Sequence, residues 1–328
     1  MHKFFLAIVI SALALQACNS NDDTTDSILT QPPYNKLTDS IKLAPNNAEL
    51  YYHRGSLLYN NNQILTAEKD LRKAWEINPK EEYALSVVTV LKQRNVDSAI
   101  LFLQKALQKL PNSVALQIGL ARGFQQKNQL DKALNICNTI IQKYPNQIDA
   151  LILKSELLEA MNKNDEALQA LETAYSYAPD DVELVHKLCF EYANNKNSKT
   201  LKLADSLLKA DTQKTHAEPN YFKGLYYENI GNYDEALKNF DAAISRDYYF
   251  IDAYMDKTQT LYDEKKYSDA LKTLQLATTV SPTYAPAYYW LGKVQEAMND
   301  KTNAKLNYQR AYGLDTTLKQ AKQAADRL

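Results

Sequence analysis

Glycine and proline are scarce in this chain, with only 7 and 10 among 328 residues. All-β folds need these residues for their many tight turns. No run of alternating apolar residues typical of strands accompanies them, and no strand–helix–strand pattern is present. Most of the prolines stand at regular intervals, at points where a helix would have to end. The composition therefore favours an all-helical chain.

Cysteine and histidine are also few, with 3 and 4 copies, and neither occurs in metal-ligand spacing. Glu183 and His186 could share a metal on one helix, but no second pair accompanies them, so a solvated or partner-facing histidine is the simpler interpretation. Glycine-rich phosphate loops and the Gly-x-Ser-x-Gly nucleophile motif are missing from the sequence. We expect no catalytic residues, no cofactor and no metal, and we predict that the protein is not an enzyme.

Charge of either sign is not in excess, because 38 basic residues face 39 acidic ones. The net charge of −1 and the absence of a basic stripe argue against nucleic-acid binding. Cys137 and Cys189 fall at positions that face the interior of a helical hairpin. We expect both to be buried free thiols.

What the chain does have is a period of about 34 residues. Alanines mark it at Ala67, Ala99, Ala133, Ala167, Ala236, Ala270 and Ala304. Twelve residues before most of these alanines stands a small residue such as Gly224, and four residues after them stands a bulky one such as Phe240. Two helices approach closely where one presents a small residue and the other a large one. The pattern predicts a stacked array of helical hairpins.

These positions resemble the tetratricopeptide repeat (TPR), most clearly in the copy that contains Gly231-Asn232-Tyr233-Asp234-Glu235-Ala236. Copies begin near Ala48, Glu82, Val114, Ile148, Val182, Ala217, Ile251 and Ala285. The resemblance covers residues 34–328 and implies an all-α fold. This fold is an α-solenoid, wound as a right-handed superhelix, of about eight hairpins with a C-terminal capping helix over residues 318–328.

Two of the copies depart from the pattern. The second has lost two residues in the turn around Gln93-Arg94-Asn95. The fifth has Thr200 or Leu201 in place of the marker alanine and is predicted to end in a longer loop from Asp211 to Asn220.

The N-terminus is predicted to be a signal peptide over residues 1–17, because its apolar run from Phe4 to Leu15 is too short to span a bilayer. Leu15-Gln16-Ala17-Cys18 resembles a bacterial lipobox, which implies that Cys18 carries acyl chains such as palmitate and anchors the protein to a membrane. The alternative is an ordinary secretory signal with an accidental cysteine.

The polar, acidic residues 18–33 are predicted to be a disordered tether. In the lipoproteins that the chain resembles, an aspartate after the lipidated cysteine favours the inner membrane. Asn19 therefore indicates the outer membrane. Ser20-Asn21-Asp22-Asp23 resembles an export tag for surface lipoproteins, and both the periplasmic and the surface face remain open.

In TPR arrays the first helix of each repeat lines a concave groove, and the resemblance implies the same here. The residues predicted to bind a partner are Tyr52, Tyr59, Arg122, Glu156, His186, Phe190, Tyr221, Glu228, Tyr262, Asp263 and Tyr289. Acids outnumber bases at the lining positions, so we expect an acidic, aromatic groove. It would suit an envelope protein or peptide with basic and apolar side chains. The alternative is a glycan-binding surface lipoprotein, because tyrosines and carboxylates also suit sugars.

Overall fold

The computed structural model describes residues 27–328, in which all regular structure is helical. From Asn35 onward this part of the chain forms eighteen helices joined by short loops. Their bounds are α1 Asn35–Leu43, α2 Ala48–Asn60, α3 Ile64–Ile77, α4 Glu81–Arg94, α5 Val96–Lys109, α6 Val114–Gln126, α7 Leu130–Lys143, α8 Ile148–Ala160, α9 Asn164–Tyr177, α10 Val182–Asn194, α11 Lys199–Ala210, α12 Glu218–Asn229, α13 Tyr233–Arg246, α14 Ile251–Asp263, α15 Tyr267–Val280, α16 Ala285–Ala297, α17 Lys301–Leu314 and α18 Lys319–Arg327. None of the helices described is long and apolar enough to cross a membrane.

Helices α2 to α17 form eight antiparallel hairpins, as the period predicts. Their chain contacts divide the protein into two compact units, one ending at Lys143 and the other running Tyr144–Leu328. Within most hairpins the turn holds one residue at positive φ, for example Asn162 at 59° and Gly231 at 79°. A left-handed residue after a helix lets a following N–H reach back to an unpaired carbonyl, as Lys163 N does to Leu158 O at 2.8 Å.

Small residues lie against bulky ones inside the hairpins, which confirms the packing expected from the sequence. A β-carbon placed on Gly224 of α12 would lie 2.5 Å from the ring of Phe240 on α13. One placed on Gly292 of α16 would lie equally close to Tyr308 on α17, at 2.5 Å. Any larger side chain at these two glycines would therefore push the helices of its hairpin apart.

The second and fifth hairpins are irregular, as expected. Asn95 alone connects α4 and α5, and its side chain accepts a hydrogen bond from Ser98 N to cap α5. In the fifth hairpin Thr200 is fully buried while Leu201 is only partly buried, so Thr200 takes the place of the marker alanine. The long loop after α11 is shorter than predicted, because α12 already begins at Glu218 with Pro219 in its first turn.

Both ends of the described chain are covered. Ile28 and Leu29 pack against Tyr34, Leu58 and Ala67, so ordered structure begins within the stretch predicted to be a tether. Residues 1–26, with the predicted signal peptide, Cys18 and the rest of the tether, lie outside the described residues.

At the other end α18 buries Ala321 and Ala325 and exposes its polar residues, as expected of a capping helix. Cys137 and Cys189 are both buried thiols, as predicted.

Candidate partner-binding groove

The predicted partner-binding side chains all lie on first helices of hairpins. Tyr52, Tyr59 and Arg122 belong to the unit that ends at Lys143, and the other eight belong to Tyr144–Leu328. None of the eleven is fully buried, and Phe190 and Asp263 are exposed. Each could therefore reach a partner, and their role in binding stays a prediction.

In the first unit the two tyrosines already make contacts between neighbouring repeats. The ring of Tyr52 on α2 lies 4.8 Å from that of Tyr83 on α4, measured between ring centres. The hydroxyl of Tyr59 accepts a hydrogen bond of 2.7 Å from Gln93 Nε2. Both side chains hold first helices side by side, which gives them a structural role whether or not they also touch a partner.

Arg122 on α6 lies close to a second base, Lys92 on α4. Burial lowers the pKa of Lys92, and the positive charge of Arg122 lowers it further. Lys92 was not among the lining residues predicted from the sequence. This part of the first-helix surface is therefore not acidic, contrary to the expectation for the groove as a whole.

In the second unit Glu156 on α8 is paired with Lys187 on α10, at 3.4 Å between Oε1 and Nζ. Glu191, on the next turn of α10, has its pKa raised to about 7, mainly by burial and then by the charge of Glu159. Glu159 itself accepts a hydrogen bond of 2.9 Å from Ser155 Oγ. Lys187 is not at a lining position, and its positive charge reduces the excess of negative charge predicted for the groove.

His186 and Phe190 belong to a cluster of rings around Phe222 on α12. The ring centre of Phe222 lies 5.8 Å from that of His186 and 6.1 Å from that of Phe190. His186 also lies edge-on to His216, at 6.5 Å. Burial lowers the pKa of His186, which favours the neutral imidazole. This cluster presents an apolar surface, of which Phe190 is the exposed part.

Tyr221 on α12 is held more firmly than an exposed anchor would be. Its hydroxyl donates a hydrogen bond of 2.7 Å to Asp256 Oδ2 on α14. Its ring lies edge-on to Phe250 at 5.1 Å and near Phe240 at 6.0 Å. Burial raises its pKa, and the charge of Asp256 raises it further. Tyr221 therefore joins α12 to α14 and buries much of its ring in doing so.

Glu228 lies about two helical turns after Tyr221 on α12. It accepts a hydrogen bond of 2.7 Å from Thr260 Oγ1 on α14. Its pKa is raised to about 7 because burial disfavours the charged form, and the charges of Asp256 and Asp263 act in the same direction. The pKa of Asp256 is raised too, by burial and by Asp252. Four carboxyl groups thus crowd together on α12 and α14.

Helix α16 adds rings and one base beside these acids. The centre of the Tyr262 ring lies 5.6 Å from that of Trp290, and Lys293 Nζ lies 3.8 Å from the centre of the Trp290 ring. Burial lowers the pKa of Lys293, while the charge of Asp263 opposes this shift. Tyr289 packs against Tyr308 of α17, at 5.6 Å between ring centres.

Glu296, near the C-terminal end of α16, is neutralised within the protein. Both carboxylate oxygens of Glu296 accept hydrogen bonds from Arg327 of α18, at 2.8 and 2.9 Å, and Tyr308 donates another. The carboxyl groups that lie close to one another are therefore those of α12 and α14. We call Tyr221, Glu228, Asp256, Tyr262 and Asp263 the acidic patch.

Comparison with known proteins identifies the repeats. Sequence models described as Tetratricopeptide repeat match residues 90–157 and 124–192, and also residues 48–81, 217–249 and 285–317. A further model, described as TPR repeat, matches residues 259–299. The chain is a tetratricopeptide repeat protein.

Two solved structures share the TPR fold. A tetratricopeptide repeat protein from Parabacteroides merdae ATCC 43184 aligns over 85% of this chain and 98% of its own, at 17% identity and a TM-score of 0.56. PilW, a type IV pilus biogenesis factor, aligns over 65% of this chain and 98% of its own, at 16% identity and a TM-score of 0.51. At these identities the similarity concerns the fold alone.

Two curated proteins are similar in sequence over part of the TPR array. RNA polymerase II-associated protein 3 of Xenopus tropicalis is 29% identical over 130 residues, which is 39% of this chain and 20% of that protein. Heat shock protein STI1 of Saccharomyces cerevisiae is 28% identical over 110 residues, or 31% of this chain and 19% of that protein. The chain thus spans about a fifth of the length of these relatives.

Several residues of this TPR surface lie outside the predicted set. Asp256, Thr260 and Trp290 lie beside predicted residues but at the sixth and tenth positions of their helices, not at the lining positions. These positions face the preceding first helix, where they meet Tyr221, Glu228 and Tyr262. The repeat length could have identified two of these residues, because Asp256 and Thr260 lie 35 and 32 residues after their partners, which is close to one repeat.

Proposed function

We propose that this protein is a membrane-anchored TPR scaffold that binds a protein or peptide of the cell envelope on the first-helix surface of α12, α14 and α16. The TPR array itself is an interaction scaffold, in which stacked repeats offer an extended surface rather than an enclosed pocket. We choose this surface because it holds the acidic patch.

The patch favours a basic partner because its carboxyl groups repel one another. Glu228 and Asp256 have raised pKa values, since burial and their neighbours' charges make ionisation costly. An ammonium or guanidinium group placed among them would relieve this repulsion and favour the charged form of each carboxyl. A cationic side chain would also be steered towards the patch from a distance.

The neighbouring rings favour a partner that carries apolar side chains next to its basic ones. Tyr262, Tyr289 and Trp290 are partly accessible, and Lys293 covers one face of Trp290. Large rings at the centre of an interface supply most of its binding energy when they become desolvated. A short segment that alternates basic and apolar residues fits both features.

The anchor is the second part of the proposal and rests on the lipobox-like sequence that ends at Cys18, outside the described residues. Acylation of Cys18 would hold the TPR array at the outer membrane, on either its periplasmic or its surface face. Two or more acyl chains supply stable anchoring where a single chain does not.

The experiment that tests the proposed surface is a cross-linking pull-down from intact envelopes with matched charge reversals. Asp263→Lys reverses an exposed acid of the patch, and Asp234→Lys reverses an exposed acid on the second helix α13 as a control. We expect the first variant to lose its partner and the second to keep it. Equal capture by both variants would place the site elsewhere. Capture that survives digestion of envelope proteins but is lost on removal of glycans would support the glycan-binding alternative.

A further inference from the structure

A cavity of about 430 Å³ lies between the fourth and fifth hairpins, outside the groove. It opens between the second helices α9 and α11 and is closed on one side by α10. Its lining residues are Glu172, Tyr175, Tyr192, Lys199, Lys202, Leu203 and Ser206. All of them belong to the unit Tyr144–Leu328.

The cavity lies beside α11, the second helix that departs most from the repeat pattern in this unit. Second helices elsewhere in this unit have 14 residues and bury a large side chain four positions after the marker alanine, such as Leu171 in α9 and Phe240 in α13. Helix α11 has 12 residues and buries only Thr200 and Ala204. Helix α10 compensates by packing directly against α12. The buried Ala204 packs against Cys189 and Phe222, and the cavity lies on the other side of α11.

The walls of the cavity combine rings with positive charge. Tyr192 is only 6% exposed, and its hydroxyl donates a hydrogen bond of 2.8 Å to Glu172 Oε1. Lys199 Nζ donates to the same oxygen at 2.6 Å and lies 5.3 Å from the centre of the Tyr192 ring. The hydrogen bond from Lys199, and to a lesser extent that from Tyr192, lowers the pKa of Glu172. The carboxylate therefore stays ionised, and the positive charge of Lys199 matches it.

Lys202 is the second cation of the cavity and lies one helical turn before Ser206 on α11. With Glu172 matched by Lys199, the lining carries one positive charge in excess. Asp205, on the same helix, does not line the cavity and is paired with Lys223 at 2.9 Å. Tyr175, Tyr192 and Leu203 supply the apolar part of the wall.

We propose that this cavity binds a carboxylate carried on an apolar or aromatic body, with the carboxylate at the ammonium group of Lys202 and the body against Tyr175, Tyr192 and Leu203. The hydroxyl of Ser206 donates a hydrogen bond of 3.0 Å to Lys202 O. The volume lies within the range of small-ligand sites. The charge is opposite to that of the acidic patch, and the lining lies mostly on second helices. The cavity therefore serves a different ligand from the groove, and the two can be occupied together.

The same chemistry could come from a free organic acid or from the C-terminus of a peptide that ends in an aromatic residue. Calorimetric titration with three probes separates these sources: phenylpropionate, a short peptide ending in phenylalanine with a free carboxylate, and the same peptide amidated. Binding of phenylpropionate alone indicates a free acid. Binding of the free-carboxylate peptide, with loss on amidation, indicates a peptide terminus.

Lys202→Met removes the charge but keeps most of the side chain, and Lys209→Met makes the same change at an exposed residue of α11 that does not line the cavity. We expect the first variant to weaken binding about tenfold, as loss of a charge-assisted hydrogen bond does, and the second to leave it unchanged. Ser206→Phe should block the cavity in a protein with an unchanged helical spectrum.

The proposal is overturned if no probe binds, or if Lys202→Met and Ser206→Phe bind as the natural protein does. It is also overturned if Asp263→Lys, in the acidic patch, abolishes probe binding. Because that variant tests the groove separately, failure of the cavity and failure of the groove give different results.

Discussion

The hydroxyl of Tyr221 on α12 donates a hydrogen bond to Asp256 on α14, at 2.7 Å, and so joins two consecutive first helices of the array. Both residues belong to the acidic patch, so a substitution that removes either polar group also breaks this hydrogen bond. The ring of Tyr221 packs against Phe250 and Phe240, so this side chain contributes to stability as well as to the surface.

Substitution of Tyr221 should therefore separate packing from hydrogen bonding. Tyr221→Ala should lower the free energy of unfolding by about 3 kcal/mol, because it leaves a cavity beside two rings. Tyr221→Phe should lower it by about 1 kcal/mol, because it removes only the donor to Asp256. Urea denaturation followed by circular dichroism measures both. A loss below about 0.5 kcal/mol for the alanine variant would show that the ring contributes little packing.

The raised pKa of Glu228, about 7, predicts a pH dependence of stability. In the unfolded chain a glutamate titrates near 4.3. Between these values the folded state holds a proton that the unfolded state has lost, so stability is fully present below about pH 4.3 and falls as the pH rises towards 7. For a partly accessible carboxyl the loss should be about 1–2 kcal/mol.

Glu228→Gln removes this titration and should flatten the fall in stability between about pH 4.3 and 7. Asp234→Asn, at an exposed carboxylate on α13, is the control. Thermal melting across this pH range measures the slope for each protein. If Glu228→Gln and the natural protein show the same slope, ionisation of Glu228 does not oppose folding.

The first hairpin contains a buried ion pair that the repeat pattern does not predict. Arg54 on α2 donates two hydrogen bonds to Asp70 on α3, at 2.7 and 2.8 Å, and a third to Thr38 on α1 at 2.9 Å. Asp70→Asn should destabilise the protein by about 3–5 kcal/mol, because it leaves Arg54 buried without its counter-charge.

The double variant Arg54→Met/Asp70→Leu should recover much of that stability, because it removes both charges and keeps apolar volume. Chemical denaturation of the two single variants and the double variant gives the coupling energy between the residues. Additive effects, with no recovery in the double variant, would contradict a coupled pair.

Membrane anchoring is tested at Cys18. Cys18→Ser should prevent acylation and release the protein into the soluble fraction, because the polar residues that follow cannot hold it at a bilayer. Fractionation of cells without detergent, followed by immunoblotting, measures the distribution. A variant that still sediments with membranes after washing would contradict the lipoprotein assignment.

The helical fold could be predicted from the sequence because most hairpins repeat the same spacing of small and bulky residues. Small residues such as Gly224 recur at a fixed distance from bulky ones such as Phe240, and the structure places each pair in contact. The marker of the fifth hairpin could not be chosen in advance, since Thr200 and Leu201 are neighbours, and only packing decides which one becomes buried.

The candidate site was less predictable, because its electrostatics depend on contacts between repeats. Lining positions gave an excess of acid, but Lys187 pairs with Glu156 and Arg327 pairs with Glu296 from positions outside that set. Lys92 beside Arg122 makes part of the surface basic. Long side chains reach across one repeat, and the position of a residue along its own helix does not show how far its charge extends.

The most direct test of the central claim is site-specific photo-cross-linking in intact envelopes. A photoreactive amino acid replaces Asp263, in the acidic patch, or Asp234, on the opposite helix of the preceding hairpin. We predict that the probe at position 263 captures a discrete partner with basic and apolar segments, and that the probe at position 234 does not. Capture of the same partner at position 234 and none at position 263 would contradict binding at the first-helix surface of α12, α14 and α16.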